Sequence, residues 1–345
     1  MPVRLIRFLL ALSVCAVAGA EVALAASGAN TMTSPNDALS LQTNSASVRA
    51  EPVQAKSKVK KHKVKRRVRH GLPSVATAAG LRETPDPLDL SSSVAYMVDQ
   101  DSGEVFFDKN ADVKLPIASV TKLMTALVIV ESKLSMKQRL RVTRSDYVRC
   151  RARSKLKSGM TLTRADALRA ALMSSDNRAA HMLARTYPGG VKAFVAAMNE
   201  KARQLGMNDS VFADSTGLSN KNQSTARDLA VLAGAAHEHE IIRRASTTPV
   251  ALVNAGKVKL RFITTNRLIG DPRWTVGLQK TGFTTAAGRC MVVQSEFAGR
   301  RLLMVVLDSV SSGRRADDML RMRRWLEEET QFQQTFAQVS PYELL

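Results

Sequence analysis

The chain has 345 residues, 45% of them hydrophobic, enough to bury a sizeable core as one large domain or two modest ones. It carries 51 Lys/Arg against 30 Asp/Glu, a net charge of +21, and residues 1–88 alone hold 13 of these basic and 5 of these acidic residues. Beyond an N-terminal apolar run, no segment reaches the length needed to cross a bilayer, which excludes a chain that threads the membrane repeatedly.

Met1 to Ala26 reads as a secretory signal. Arg4 and Arg7 open it, Phe8 to Ala20 is its apolar core, and Ala23-Leu24-Ala25 fits a small-residue cleavage site, so cleavage after Ala25 and export to the periplasm are expected. Cys15 follows Val14, a poor fit to a lipoprotein attachment site, and lies within the removed segment. Residues 26–87 lack periodicity and read as a disordered basic linker. Within them Lys56 to His70 carries nine Lys/Arg and no acid. That run suits an anionic surface, lipid headgroups or acidic wall polymer, as well as it suits a solvated spacer. The export signal argues against nucleic acid as its partner.

A folded domain is expected over 88–330, with a flexible tail over 331–345. Ser93 to Val98 alternates like a strand, Gln100 to Gly103 reads as a turn, and Glu104 to Phe107 as the return strand. Pro116 to Glu131, PIASVTKLMTALVIVE, is apolar all round and predicts a buried helix opening near Ala118. Lys133 to Leu162 is polar, with charged loops. Arg164 to Leu183 is helical in pattern, interrupted at Ser174-Ser175, and Val191 to Leu205 is a further amphipathic helix. Phe212 to Asn222 is a loop, after which Thr225 with Asp228 resembles a capping box for a helix over Ala226 to Ala236. Strands are expected at Pro249 to Val253, Val258 to Phe262, Thr275 to Gln279, Arg289 to Glu296 and Arg301 to Leu307, and a last helix from about Arg315 to Glu328. Strands thus stand at both ends of the domain and helices in its middle. This predicts an α/β (α+β) fold whose sheet joins segments far apart in sequence, with a helical insert.

Three short motifs carry chemistry. Ser119 and Lys122 lie three apart and so share a helix face. A serine hydroxyl is a poor nucleophile until a base takes its proton, and a lysine can be that base when burial keeps it neutral. The helix N-terminus would favour negative charge developing at Ser119. Ser57/Lys60 and Ser154/Lys157 match the same spacing in charged stretches, where a surface pair is the plain reading. Ser175-Asp176-Asn177 lies between two helical runs, and Lys280-Thr281-Gly282 at the end of a probable strand; Ser34-Pro35-Asn36 and Lys157-Ser158-Gly159 are their decoys. The set Ser-x-x-Lys, Ser-Asp-Asn, Lys-Thr-Gly is shared by class A β-lactamases and penicillin-binding proteins, and here all three occur in that order.

With PIASVTKLMTA, ALMSSDNRAA, FADSTGLSNKNQSTARDLA and KTGFTTAAGRC, residues 90–327 resemble the low-molecular-mass penicillin-binding serine peptidases, in particular their D-alanyl-D-alanine endopeptidase branch. The resemblance implies a β-lactamase/transpeptidase-like fold, an antiparallel sheet flanked by helices with a helical subdomain and the site between them. It implies Ser119 as nucleophile on a D-Ala amide, Lys122 as its base, and Ser175 as a relay to the leaving amine. Asn177 would hold Lys122 and the substrate amide. Lys280, Thr281 and Gly282 would line the carboxylate site, with Lys280 also lowering the pKa of Lys122. The backbone N–H groups of Ser119 and Phe283 would form an oxyanion hole. Peptidoglycan stem peptides and β-lactam inhibitors are the implied ligands, and no metal or cofactor is called for.

Several alternatives stand beside this. A D-Ala-D-Ala carboxypeptidase would use the same site, but only 63 residues follow Gly282, and the end lacks a basic amphipathic face, which favours cleavage of D-alanyl-meso-diaminopimelate cross-links. A β-lactamase would need a deacylating Glu-x-x-x-Asn after Ser-Asp-Asn; Glu200 is followed instead by Gln204. A non-catalytic wall-binding protein is the reading from another class. His237 and His239 offer a His-x-His pair without an evident third ligand, and His181 reads as a packed side chain. Export permits a disulfide between Cys150 and Cys290, while a buried thiol is the other reading of Cys290.

Overall fold

The computed structural model describes residues 72–150, 153–297 and 299–338, with side chains to 331. The expected signal peptide and the basic run Lys56 to His70 lie outside the described residues. The chain opens with a short helix α1 (Val75–Ala78), then strands β1 (Ser92–Asp99), β2 (Val105–Lys109) and β3 (Leu115–Pro116). Helix α2 (Lys122–Glu131) follows a 3-10 turn over Ala118–Thr121. Next come β4 (Arg139–Arg141), β5 (Thr161–Thr163), α3 (Arg164–Met173), α4 (Asn177–Arg185), α5 (Gly190–Gln204), β6 (Gln223–Ser224), α6 (Ala226–His237) and α7 (Glu240–Thr247). The chain closes with the hairpin β7 (Val250–Asn254) and β8 (Lys259–Ile263), then β9 (Thr275–Thr284), β10 (Gly288–Phe297), β11 (Arg300–Ser309) and α8 (Ser312–Gln338).

The main sheet has the order β2-β1-β11-β10-β9 and every pairing in it is antiparallel. β1 pairs with β11, Val94 opposite Leu307 and Val98 opposite Leu303, which joins the two ends of the domain as expected. The strand period of two divides the core. Val94, Tyr96, Val98, Val292, Val305 and Leu307 face the helical middle of the chain, while Ala95, Met97, Met291, Val293, Met304 and Val306 face α8 through Met319, Met322 and Leu326. β1 is therefore buried on both faces, and β9 is left at the sheet edge. On the helical side α2 is buried from Lys122 to Ile129 and is packed against α3, α4, α5, α6 and α7. Its five large apolar side chains, Leu123, Met124, Leu127, Val128 and Ile129, contribute roughly 7–15 kcal/mol of transfer free energy.

Two expected boundaries move. Residues 74–87, assigned to the linker, are part of the fold: Ser74 caps α1, Val75 N–H donates to the Ala286 carbonyl, and Arg82 pairs with the buried Asp308 at 2.9 Å. α8 runs on to Gln338, past the expected start of the flexible tail at 331. α7 is an element the sequence reading did not separate; its Ile242, Ala245 and Ser246 are buried, and the Ser246 carbonyl accepts from Gln279 Nε2 on β9 at 2.7 Å. Thr225 caps α6 through Asp228 N–H, but the Asp228 carboxylate turns to Ser210 and Asp209, so the capping box is only half made. Among the described residues no helix is long and apolar enough to cross a membrane.

Candidate active site

Ser119 sits in the 3-10 turn, not in the α-helix itself, and Lys122 is the first residue of α2. The turn is set by Ala118, whose φ of +47° is sparsely populated for a residue with a side chain. Two glycines hold it by close approach. A Cβ on Gly217 would lie 1.8 Å from the Ala118 carbonyl oxygen, and one on Gly282 would lie 3.1 Å from Ser119 N. The sheet edge β9 and the loop before β6 thus both press their backbones against the nucleophile's turn; only glycine fits at 217, and at 282 a side chain would force its neighbours to give way.

The Lys122 amine is fully buried and has three neighbours: Ser119 Oγ at 2.8 Å, Asn177 Oδ1 at 2.7 Å and the Thr216 carbonyl at 2.6 Å. Burial pulls its pKa down from 10.5 to about 7, against the opposing pull of Asp214, Asp176 and Cys150. The sequence reading assigned part of this depression to Lys280. Desolvation is the lowering cause here, and Lys280 is itself pushed well below 10.5 by its own burial and then by the charges of Lys122 and Arg315. A neutral amine has two N–H donors and one lone pair. The carbonyls of Asn177 and Thr216 can only accept, so they take both donors, and the lone pair faces the Ser119 hydroxyl.

The second motif divides its labour. Asp176 is the N-cap of α4: its carboxylate accepts from Ala179 N–H and from Ser154 Oγ. Asn177, one step into the helix, reaches Lys122 and donates to Cys150 Sγ at 3.4 Å. Ser175 is held at φ +58° in the break between α3 and α4, its Oγ 3.0 Å from Lys280 Nζ. The third motif lies inside β9, which continues to Thr284 instead of ending before Lys280. Lys280 is fully buried, and Thr281 Oγ1 lies 2.6 Å from Thr265 Oγ1. Ser119, Lys122, Ser175, Asn177, Lys280, Thr281 and Gly282 are thus brought together. They line or underlie a cleft of about 540 Å³ that extends past Phe283 to the start of α8.

Three contributors were not foreseen. Thr216 acts through its carbonyl, which side-chain identity does not advertise. Asp214 fixes that carbonyl by accepting from the N–H groups of Thr216, Gly217 and Ser219 and from Thr216 Oγ1. Burial pushes its carboxyl up, but these bonds outweigh it and hold the pKa below 3.8. The Asp-x-Thr-Gly spacing of an Asx turn is the signal that could have found it. Arg315, only 6% exposed, lines the cleft with Nη1 on the Cys290 carbonyl at 3.0 Å, Nε without a partner, and no carboxylate paired with it among the described residues. Burial lowers its pKa to about 10, Cys290 opposes, and the neighbouring Arg289 and Arg267 lower it further.

The remaining candidates separate cleanly. Ser154 supports the Asp176 cap and Lys157 is exposed, so that pair is not a second site; Ser57/Lys60 and Ser34-Pro35-Asn36 lie outside the described residues. His181 bonds the buried Asp146, whose carboxyl, despite burial, is held well below its usual range by His181 and Arg185. No group of three His, Cys, Asp or Glu among the described residues is placed to hold a metal. Cys290 is buried, its thiol pushed up to about 12, and it is not bridged to Cys150.

The model of the D-alanyl-D-alanine carboxypeptidase family matches residues 81–311. The chain is 42% identical over 262 residues to the D-alanyl-D-alanine endopeptidase of Pseudomonas aeruginosa, covering 74% of this chain and 84% of that protein. It is 38% identical over 257 residues to that of Escherichia coli, covering 74% and 83%. Among solved structures, it is similar to penicillin-binding protein D2 of Listeria monocytogenes in an ampicillin-bound form, with a TM-score of 0.61 at 29% identity over 69% of this chain and 98% of that one.

Proposed function

Because the chain belongs to the D-alanyl-D-alanine carboxypeptidase family, a family of serine peptidases, we propose that it is a serine D,D-peptidase of peptidoglycan that opens D-alanyl-meso-diaminopimelate cross-links through an acyl-enzyme on Ser119. The observation that carries this reading is the Lys122 amine, fully buried, 2.8 Å from Ser119 Oγ, and lowered by that burial to a pKa of about 7.

Ser119 Oγ attacks the D-Ala carbonyl carbon while its proton passes to Lys122 Nζ. The oxyanion so formed is held by the N–H groups of Ser119 and Phe283, in place before the charge develops. As the C–N bond breaks, the proton on Lys122 is delivered to the leaving nitrogen by way of Ser175. The electron pair of the oxyanion reforms the carbonyl, leaving an ester on Ser119. Water, deprotonated by the same amine, then attacks the ester, and Ser119 leaves with that proton. Asn177 keeps the amine aimed throughout. The carboxylate next to the cut amide is taken by Thr281 and by the cations Lys280 and Arg315, both buried and without an acidic partner among the described residues.

β-Lactams would acylate Ser119 by the same attack, as their ring amide and carboxylate occupy these two positions. Cleavage of the terminal D-Ala from uncrosslinked stems uses the same groups; similarity to two D-alanyl-D-alanine endopeptidases supports the cross-link as this chain's substrate. The substrate lies outside the cytoplasm, and the periplasm is the compartment indicated by the pattern of Met1 to Ala26. Lys56 to His70 would add a contact with anionic wall polymer or lipid headgroups ahead of the catalytic domain.

The test is twofold. Labelled penicillin should be captured by the wild type and not by Ser119→Ala, which separates a peptidase from a wall-binding protein. Purified cross-linked dimer and monomeric pentapeptide, digested in parallel and read by mass spectrometry, should show the dimer opened faster; exclusive loss of D-Ala from the pentapeptide would make the protein a carboxypeptidase.

A further inference from the structure

Past the catalytic groups the cleft ends in a cationic wall, of which the mechanism above uses Arg315 but not Arg289. Arg289 on β10 stands directly across from Phe283 on β9. Its guanidinium lies 4.4 Å from the Phe283 ring centroid, and Nη1 donates to Ser312 Oγ at 2.9 Å. Ser312 is the first residue of α8, a 27-residue helix with no acid in its first turn, so the positive end of that helix faces the same place. Arg289 lies near enough to the buried Arg315 for the two to repel. No carboxylate pairs with either among the described residues, although both line the cleft. Two guanidiniums and a helix N-terminus gathered without an anion, one guanidinium held flat by an aromatic ring, form a site pre-organised for a carboxylate. Phe283 itself is half-exposed at the lip of the cleft, between this wall and the Lys280-Thr281 end. It offers an apolar surface for a short aliphatic spacer.

We infer that Arg289, Ser312 and the Phe283 ring form a second carboxylate subsite on the leaving-group side. It takes substrates whose leaving amine carries one carboxylate beside the cut amide and another beyond an aliphatic spacer. The inference rests on the peptidase reading and refines it: the near carboxylate is common to all D,D-peptidase substrates, whereas the far one belongs to a diamino-dicarboxylate leaving group and not to free D-Ala. Arg289 is on this account a specificity residue that favours a leaving group whose far carboxylate is free, as in a cross-link to a stem that ends at the diamino acid, over free D-Ala.

The experiment compares three substrates on the mature full chain: N-acyl-D-Ala-D-Ala, N-acyl-D-Ala-meso-diaminopimelate with its far carboxylate free, and the same compound with that carboxylate amidated. Arg289→Ala should lower kcat/KM on the free dicarboxylate by about 10- to 100-fold, the worth of one charge-assisted contact. It should leave the other two substrates, and the rate of acylation by labelled penicillin, within about twofold, which a general loss of structure would not do. Arg289→Lys, which keeps the charge but not the stacked plane, should fall between. An equal loss on all three substrates, or no loss on the free dicarboxylate, overturns the subsite while leaving the peptidase standing. Failure of the wild type to cleave any of them or to be acylated overturns the peptidase reading, and the subsite with it.

Discussion

The state of one amine decides the chemistry, and it can be titrated. Burial lowers Lys122 from 10.5 to about 7. If its neutral form is the base for Ser119, acylation by labelled penicillin should rise about tenfold per pH unit below 7 and level off above it, so the rate at pH 5 is about 100-fold below the plateau. Lys122→Ala should cost about 10²- to 10⁴-fold at pH 8 and abolish the limb near 7. The same shift leaves a trace in stability. Its folded pKa is depressed, so between about pH 7 and 10.5 the unfolded chain binds a proton that the folded chain does not. Wild type must therefore gain stability relative to Lys122→Met as pH rises through that window, by up to about 5 kcal/mol. Stopped-flow acylation and denaturant titrations across pH 5–10 read the two effects independently. A flat acylation profile from pH 5 to 8.5 in the wild type would refute the assignment of Lys122 as base.

Three further outcomes follow from the geometry. Gly217→Ala places a methyl 1.8 Å from the Ala118 carbonyl at a φ of +79°, so it should cost at least about 3 kcal/mol in urea unfolding and suppress penicillin capture. Arg315→Met should raise KM at least about tenfold for carboxylate-bearing substrates and spare an ester that lacks the carboxylate, without lowering Tm, because a desolvated guanidinium with one neutral acceptor contributes little to folding. Lys280, fully buried beside Ser175 Oγ at 3.0 Å, should matter to binding more than to acyl chemistry: Lys280→Met should raise KM for carboxylate-bearing substrates by about tenfold or more and change acylation by an ester lacking the carboxylate by less, as steady-state kinetics on the two substrates would read.

What could be read from the sequence was what depends on near neighbours. Ser119 and Lys122 are one turn apart, and the apolar run behind them already implied burial. The break at Ser175 and the strand-like ends of the domain were visible as changes of period. The start of the fold was not, because Val75 to Arg82 is held by Ala286 and Asp308, more than 200 residues away, and has no periodicity of its own. α7 escaped for a related reason: with only eight residues its amphipathic pattern completes little more than two turns, and contact with α3 and β9 is what fixes it.

The site itself shows why motif reading stops short of the groups that hold the Lys122 amine in place. Two of the motifs contribute a residue whose work is internal to its own segment: Thr121 donates to the Ala118 carbonyl in the first turn, and Asp176 caps α4. These are legible from local rules. The groups that aim the Lys122 amine are not of this kind. The Thr216 carbonyl is an acceptor that any residue could supply, and it is useful only because Asp214 gathers five donors, Asn222 Nδ2 among them, and turns it inward. An amine stripped of water with three positioned neighbours is costly to bury, by about 5 kcal/mol at neutral pH for the shift cited. The apolar face of α2 outweighs that cost, since the same buried helix that stabilises the lobe also desolvates its first residue. Stability and reactivity at Ser119 are therefore coupled through a single element. A polar substitution deep in α2, such as Leu127→Asn, should loosen the helix and let water reach Lys122, raising its pKa and moving the acylation limb toward alkaline pH. A limb that stays near 7 while stability falls would uncouple the two.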